Sequence, residues 1–201
     1  MNKTALDIGC GTVMDKQIKA HPEHHWIGLD QADFASFYPA GQFIQQGLDL
    51  DLPFDAGAID FIWCHHVLEH LPPEVPRAND PAYPGPRDYV VHVLNEMWRV
   101  LKEGAEAHII VPWIGHTNAY RHPTHYRFFT PDYFTFFSAG YPGREHLSIQ
   151  LWSKWQVMRS EVIDQCHVYA VLRCLRWKDV EELFRVYGEK APYAPWMFHH
   201  E

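Results

Sequence analysis

The segment LDIGCGT, residues 6–12, decides the fold of this 201-residue chain. The apolar run TALDI, residues 4–8, ends at Gly9 and Gly11, and residues 13–20 can form a helix behind them. Glycines at a strand-to-helix turn let a ligand approach the backbone, and the helix offers free N–H groups. A dinucleotide-binding turn would have a third glycine where Met14 stands. The segment therefore predicts an α/β fold with a ligand site at this turn, but it disfavours a dinucleotide.

Strand-like and helix-like segments alternate through the first 112 residues. Apolar runs predict strands at 4–8, 26–29, 43–45, 59–63 and 107–111. Helices are predicted at 13–20, 65–71 and 89–101, the last stopped by Lys102-Glu103-Gly104. The later part predicts helices at 131–138 and 178–188 and strands at 155–163 and 167–174. This alternation predicts a parallel sheet with helices on both faces.

Two long loops interrupt the alternation, at residues 72–87 and 113–130. The first is rich in proline and the second in histidine and aromatic residues. Both follow predicted strand ends, at the edge where open α/β sheets bind ligands, so we expect them to form lids and substrate walls. We expect one domain over residues 1–201, with a C-terminal tail at 189–201.

Composition narrows the class of protein. The formal net charge of −8 disfavours nucleic acid as a partner, because a polyanion normally meets a basic face. Cys10, Cys64, Cys166 and Cys174 form no C-x-x-C pair, which favours reduced thiols and a cytoplasmic location. No N-terminal signal is visible and no apolar run is long enough for a membrane span, so we expect no membrane partner.

Four segments together resemble the class I S-adenosylmethionine-dependent methyltransferases of the small type 11-like family. They are LDIGCGT, GLD at 28–30, the run from 47 to 71 that ends in VLEHL, and LNEMWRVLKEGAEAHIIVP at 94–112. The resemblance implies a Rossmann-like, doubly wound, mostly parallel seven-stranded sheet whose last strand is antiparallel. It also implies S-adenosylmethionine as the cofactor.

The resemblance implies cofactor contacts at particular positions. Asp7 would hold the methionine amino group, and Asp30 would bind the ribose, a role that its place after the second strand also favours. The other cofactor-binding residues would be Gly9, Cys10, Gly11, Gln31, Asp49, Leu50, Cys64 and His65, with Asp49 and Leu50 at the adenine. Two features depart from the family: Val13 replaces a third glycine, and the chain begins almost at the first strand, without the usual covering helix. We expect the two long loops, or a partner, to cover the cofactor.

The segment HHVLEH, residues 65–70, contains the H-x-x-E-H pattern of one class of zinc peptidases. On a helix, His66, Glu69 and His70 would share one face. A peptidase would need that helix to continue and a further carboxylate ligand to arrive. Pro72-Pro73 ends the helix at once, so the peptidase interpretation is disfavoured.

The same segment leaves a metal site open. Some magnesium-dependent O-methyltransferases carry E-x-x-E-H here and a later histidine, which His116, His122 or His125 could supply in this chain. The ligand set that this resemblance implies is His66, Glu69, His70 and His125. An imidazole in place of a carboxylate would shift the preference from Mg²⁺ toward Zn²⁺, Mn²⁺ or Fe²⁺. We favour the metal-free alternative, in which Glu69 and His70 pack under the sheet edge.

A general base for methyl transfer is sought among the histidines, because an imidazole has nearly the right pKa at neutral pH. The candidates are His125, His122 and His70. Arg121 and Arg127 could hold an acidic group of the acceptor. Each of these side chains could instead stabilise its loop or lie in solvent.

The sequence thus predicts a methyltransferase that acts on the oxygen of a small-molecule or sugar-like acceptor with a histidine base. Two alternatives stay open. One is a non-catalytic module or partner subunit that binds S-adenosylmethionine or a nucleoside, and the other is a metal-dependent RNA-end methyltransferase.

Overall fold

Seven strands pair into one mixed sheet in the part of the chain that this computed structural model describes, residues 3–12, 21–74, 88–139 and 151–176. The strands are β1 Lys3–Ile8, β2 His24–Asp30, β3 Phe43–Gln45, β4 Ile59–His65, β5 Leu101–Pro112, β6 Trp155–Ile163 and β7 His167–Cys174. Two α-helices are described, α1 Tyr89–Val100 and α2 Pro131–Thr135. Short 3-10 helices cover Ala35–Phe37, Leu68–His70 and Thr117–Ala119.

The strand order is β3-β2-β1-β4-β5-β7-β6, with β7 antiparallel to both neighbours and the other six strands parallel to one another. This arrangement confirms the predicted Rossmann-like sheet. Asp7 of β1 pairs with Gly28 on one side and Trp63 on the other, so β1, β2 and β4 end at the same edge. The chain order reverses at β1, and such a switch point is where open α/β sheets bind ligands.

Helix α1 fastens the loop after β3 to the sheet. The Asp88 side chain caps the helix by accepting from the Val91 N–H at 3.1 Å. Near the other end, Glu96 accepts from the Leu52 N–H at 2.8 Å and pairs with Arg99. Arg99 also donates to the carbonyl oxygens of Leu52 and Phe54. These bonds hold the segment between β3 and β4, where adenine contacts were predicted.

The helix predicted at 65–71 is wrong. Strand β4 continues to His65, because the His66 N–H still bonds to the Ile110 carbonyl of β5 at 2.9 Å. His66 then takes a left-handed conformation, with φ of 57°, and only the single 3-10 turn Leu68–His70 follows. Because Pro72-Pro73 leaves no room for a second turn, the segment is a sheet-edge turn and not a helix.

Three other predicted boundaries shift. Helix α1 ends at Val100, and β5 begins at Leu101 and runs to Pro112, so Lys102-Glu103-Gly104 lies in a strand whose register is irregular. Gly104 has a φ of 77°, the left-handed conformation that a glycine adopts at the end of a helix. Here the same conformation occurs within the irregular part of the strand. Helix α2 covers only Pro131–Thr135 of the predicted 131–138. The predicted strands at 43–45, 155–163 and 167–174 are confirmed.

Several predictions lie outside the described residues: the helices at 13–20 and 178–188, the tail at 189–201 and residues 75–87 of the first long loop. None of the helices within the described ranges has the length and apolar character that a bilayer span requires. All four cysteines are free thiols, as expected.

Candidate active site

The glycine turn after β1 is shaped by the backbone. Gly9 and Gly11 have φ of 70° and 56°, in the region that side chains rarely adopt. The Gly9 N–H bonds to the Leu29 carbonyl at 2.8 Å, which ties the turn to the end of β2. A Cβ atom on Gly9 would lie 2.2 Å from Cγ2 of Val67, whereas one on Gly11 would meet nothing within 4 Å. Packing against Val67 therefore requires glycine at position 9, whereas at position 11 only the backbone conformation favours it.

Asp30 stands at the end of β2 and holds the same turn. Its carboxylate accepts from the Gly11 N–H at 3.1 Å and from the Ala32 N–H at 3.0 Å. On the other side of the turn, the Tyr38 hydroxyl donates to the Gly11 carbonyl at 2.8 Å. The Cys10 side chain lies in a small cluster with Ala5, Trp26 and Phe61, where burial raises its thiol pKa to about 11.

Asp7 is the second-last residue of β1 and is buried, with 3% of its surface exposed. Burial, and then the negative charge of Asp30, raises the pKa of Asp7 to about 7. A carboxyl group with such a pKa gains a proton easily near neutral pH, and a cationic ligand group beside it would favour the ionised form. The structural position thus suits a group that meets a positive charge.

A cleft of about 290 Å³ opens above this turn. Three of the predicted cofactor residues line it: Gly9, Asp30 and Gln31. The lining also includes residues that were not predicted as cofactor contacts, among them Gln46, Leu48, Val67, His66, Leu71 and Tyr89. Burial, and then Asp49, raises the pKa of Tyr89 to about 12, so its hydroxyl is a donor at neutral pH.

The remaining predicted cofactor residues lie around the cleft without lining it. Asp49 and Leu50 directly follow the lining residue Leu48. Cys64 is fully buried in the main core, and burial raises its pKa well above the usual range. The His65 ring contacts the rings of Trp63 and His66. Cys10 and Gly11 belong to the glycine turn itself, and Asp7 lies in β1, two residues before the turn.

A second pocket of about 360 Å³ adjoins the cleft. It is lined by His66, Glu69, His70, Pro112, Asn118, Arg121, His122, His125 and His167. We call it the histidine pocket. His66 and His70 line both the cleft and the histidine pocket, so the two spaces meet at these side chains.

Glu69 is fully buried at that junction. Its Oε1 atom lies 2.8 Å from Nδ1 of His66, and its carbonyl oxygen accepts from the Tyr126 and Arg127 N–H groups. The Oε2 atom has no hydrogen-bond partner among the described residues. An ionised Glu69 can only accept, so with Glu69 ionised and His66 neutral the His66 proton would lie on Nδ1 and leave the lone pair on Nε2.

The three predicted base candidates are brought together. The ring centroids of His70, His122 and His125 lie 4.7 to 5.3 Å apart. Burial, and then the positive potential of His125, lowers the pKa of His70, against the opposing effect of Glu69, which raises it. Of these three histidines, only His70 also lines the cofactor cleft.

The sequence reasoning missed His167. It lines the histidine pocket from the start of β7, and its ring contacts that of His66 at 4.9 Å. Its Nδ1 atom lies 2.9 Å from the Asp164 carboxylate, whose pKa is lowered to about 2 by hydrogen bonds from Cys166 and His167. Only the sheet topology brings this distant part of the chain to the site.

Arg127 does not line the histidine pocket. Its guanidinium donates to the carbonyl oxygens of Leu71, Pro72 and Pro73 and pairs with Asp88 at 2.8 Å. It therefore joins the start of the first long loop to the end of the second. Arg121 lines the histidine pocket, where an acidic ligand group could reach it.

The family model described as methyltransferase domain matches residues 6–109, just over half of the chain. The chain therefore belongs to this family and is a class I S-adenosylmethionine-dependent methyltransferase. No curated protein sequence gives a significant match.

Three solved structures have the same fold, each over 87% of this chain. A 16S rRNA (adenine(1408)-N(1))-methyltransferase mutant with SAM from Catenulisporales acidiphilia is 16% identical, with a TM-score of 0.54 over 85% of its length. A methyltransferase in complex with the Trm112 activator from Haloferax volcanii is 15% identical, with a TM-score of 0.56 over 84%. A SAM-dependent methyltransferase from Methanosarcina mazei is 15% identical, with a TM-score of 0.55 over 94%. At these identities the likeness concerns the fold alone.

The described residues fit S-adenosylmethionine. Gly9 lines the cleft, and the side of Gly9 on which a Cβ atom would lie is occupied by Val67. Asp30 offers a carboxylate to the cleft, and Leu48, Leu71 and Tyr89 offer a largely apolar wall. A nucleoside requires an acidic side chain that binds the ribose hydroxyls and an apolar wall that packs against the base.

Proposed function

We propose that this methyltransferase transfers a methyl group to the oxygen of a small-molecule or sugar-like acceptor bound in the histidine pocket. The observation that carries the proposal is the meeting of the cofactor cleft and the histidine pocket at His66 and His70. Methyl transfer needs donor and acceptor in line and close together, and two adjoining spaces meet that need.

The cofactor would be held by the cleft and the turn beneath it. We assign the ribose to Asp30 and Gln31, the amino group to Asp7 and the adenine to the segment of Leu48, Asp49 and Leu50. The backbone of Gly9, Cys10 and Gly11 would pass beside the ligand, and Cys64 and His65 would lie near its methionine end. When bound, S-adenosylmethionine supplies a methyl group on a positively charged sulfur.

A histidine at the junction would take the proton from the acceptor hydroxyl. We assign this role to His66, because the buried Glu69 carboxylate fixes the Nδ1 proton and leaves the Nε2 lone pair available. His70 also borders both spaces and stays a candidate. The earlier candidates His122 and His125 line only the histidine pocket, one step further from the cofactor.

The acceptor class follows from size and charge. The histidine pocket holds about 360 Å³ and is lined mostly by polar side chains, which suits a small polar molecule. One solved structure with this fold acts on ribosomal RNA, so an RNA acceptor is the competing candidate. The net charge of −8 opposes it, because binding RNA requires a basic surface.

The absence of a C-x-x-C pair still favours a cytoplasmic location.

The test uses methyl-labelled S-adenosylmethionine with catechols, sugars and short RNAs as acceptors. His66→Asn should lower kcat by about 10²–10⁴-fold, with the dissociation constant of S-adenosylmethionine changed little. Asparagine is chosen because it tolerates the left-handed conformation of His66. His25→Asn, at an exposed position of β2, is the matched control and should behave as the wild type. Full turnover in His66→Asn would contradict the base assignment, and label transfer to RNA alone would contradict the acceptor class.

A further inference from the structure

Three histidines in the wall of the histidine pocket converge on one point. His70 comes from the 3-10 helix after β4, and His122 and His125 come from the loop after β5. One ring nitrogen of each lies within 4.8 Å of the others. We propose that His70, His122 and His125 form a binding site for a transition-metal ion of the Zn²⁺ class, facing the acceptor. The site as such rests on this geometry, and only its service to the acceptor rests on the proposed function.

Two of the three rings are held in the way that metal-binding histidines are held. The Nδ1 atom of His125 donates to the Ala119 carbonyl at 3.0 Å, and that of His70 lies 3.2 Å from the Thr124 carbonyl. The Thr124 hydroxyl oxygen lies 2.8 Å from Nδ1 of His70 and 2.9 Å from Nδ1 of His122. The Thr124 N–H donates to Nδ1 of His122 at 3.4 Å, so the Thr124 hydroxyl can accept from His70 and donate to His122. Metal-binding histidines are oriented in this way, by an acceptor on the ring nitrogen that does not bind the metal.

With Nδ1 of His70 and of His125 donating to carbonyl oxygens, their Nε2 atoms carry lone pairs for an ion. His122 accepts the Thr124 N–H at Nδ1, and it would offer one ring nitrogen to the ion once its proton is lost or shifted. A tetrahedral site with Zn–N bonds of about 2.0–2.1 Å separates its nitrogens by about 3.4 Å. One ring nitrogen of each histidine lies within 4.8 Å of the other two, so modest side-chain rotations would bring three nitrogens to that separation. His122 is exposed and can rotate readily.

Three imidazoles select the kind of ion. Imidazole suits Zn²⁺, Cu²⁺, Fe²⁺ and Ni²⁺, whereas Mg²⁺ prefers oxygen ligands. Three protein ligands with a fourth position open are typical of catalytic zinc sites. The open side here is the histidine pocket, so the fourth ligand would be an oxygen or nitrogen atom of the acceptor.

This site differs from the ligand set that family resemblance implied. In that set His66 and Glu69 would bind the ion, but they pair with each other at 2.8 Å. His122 takes their place beside His70 and His125. The division leaves His66 free to accept a proton while the three other histidines hold the ion.

The experiment titrates EDTA-treated full-length protein with ZnCl₂ by calorimetry and records X-ray absorption of the zinc-loaded sample. We expect one ion per chain with a dissociation constant of about 1 μM or tighter, bound by nitrogen ligands at about 2.0–2.1 Å. His122→Ala and His125→Ala should each weaken binding by more than about 100-fold. Thr124→Val, which removes only the orienting hydroxyl, should weaken it by about 10-fold.

The controls address two other groups of ligand-like side chains in the described residues, His21 with Glu23 and His24, and Asp164 with Cys166 and His167. His24→Ala and Cys166→Ser should leave zinc affinity unchanged. A zinc–sulfur distance of about 2.3 Å, or loss of binding in either control, would overturn the proposal, as would no binding by the wild type. Melting curves confirm that each variant is folded. S-adenosylmethionine binding is titrated separately in EDTA, so failure of the metal site and failure of the cofactor site give different results.

Discussion

The cofactor cleft and the histidine pocket adjoin but are built in different ways. The cleft depends on a short stretch of backbone: Gly9 and Gly11 are fixed by bonds to Leu29 and Asp30 at two neighbouring strand ends. The pocket depends on side chains from three distant segments, around residues 66–70, 118–125 and 167. Changes in the cleft should therefore act through backbone geometry, and changes in the pocket should act on single chemical functions.

The largest effect is expected from Gly9→Ala. The added methyl group would overlap Val67 at 2.2 Å and would also occupy a φ of 70°. We expect S-adenosylmethionine affinity to fall by more than about 100-fold and the melting temperature to fall, because a core-like clash adds to the backbone strain. Calorimetry and thermal melting measure the two effects.

Gly11→Ala is the matched control, since its φ of 56° is similar but no atom lies within 4 Å of the added methyl group. It should cost only the strain of about 1 kcal/mol. The double variant Gly9→Ala with Val67→Ala should recover part of the lost affinity. Equal effects of Gly9→Ala and Gly11→Ala would contradict the steric explanation.

The next effect is expected from Asp30→Asn. The carboxylate holds the Gly11 and Ala32 N–H groups and is our candidate for the ribose. A hydrogen bond to a charged group contributes about 1.5–3 kcal/mol, so affinity for S-adenosylmethionine should fall by about 10–100-fold. Asp33→Asn is the control, because Asp33 makes the same kind of local bond, to the Ala35 N–H, in the adjoining segment. A similar loss in both variants would show that only loop structure is being measured.

The contrast also explains what the sequence could reveal. The turn at Gly9, the acid at Asp30 and the alternation of strands and helices show in short segments of sequence, so local patterns predict them. The turn after β4 escaped prediction, because HHVLEHL has helical spacing while the bond from His66 to Ile110 keeps the chain in the sheet. His167 escaped because only the antiparallel pairing of β5 with β7 places it beside Pro112 and the pocket. Sequence spacing therefore reveals the turn and the acid beside the cleft, but it does not reveal how distant segments meet at the histidine pocket.

A smaller effect is the pH dependence of cofactor binding. Burial raises the pKa of Asp7 to about 7, so this carboxyl is mostly protonated below that pH. Pairing with a cationic amino group requires the ionised form, so affinity should rise by up to about tenfold per pH unit toward pH 7 and then level off. Calorimetry from pH 5.5 to 8 measures the slope, and Asp7→Asn should flatten it.

The same shift has a consequence for stability with the opposite sign. A raised pKa means that the folded chain binds more protons than the unfolded chain between about pH 4 and 7. The free energy of unfolding of the ligand-free protein should therefore decrease as pH rises through that window, because Asp7 loses its proton in the folded state. The difference in melting temperature between wild type and Asp7→Asn should shrink or reverse at low pH. A difference that is constant from pH 4.5 to 8 would contradict the burial effect.

The smallest effect is expected from Arg121→Gln, which tests the independence of the two regions. Arg121 is exposed and lines the histidine pocket but not the cofactor cleft. If it binds an acidic group of the acceptor, its loss should raise KM for that acceptor by about two- to fivefold, because a solvent-exposed charged contact contributes at most about 1 kcal/mol, and should leave kcat nearly unchanged. Arg127→Gln is the informative counterpart, because the Arg127 guanidinium donates to backbone carbonyl oxygens and pairs with Asp88. This substitution should lower the melting temperature and leave KM nearly unchanged. A fall in S-adenosylmethionine affinity in Arg121→Gln would mean that the two spaces are coupled and that the pocket cannot be treated as a separate acceptor site.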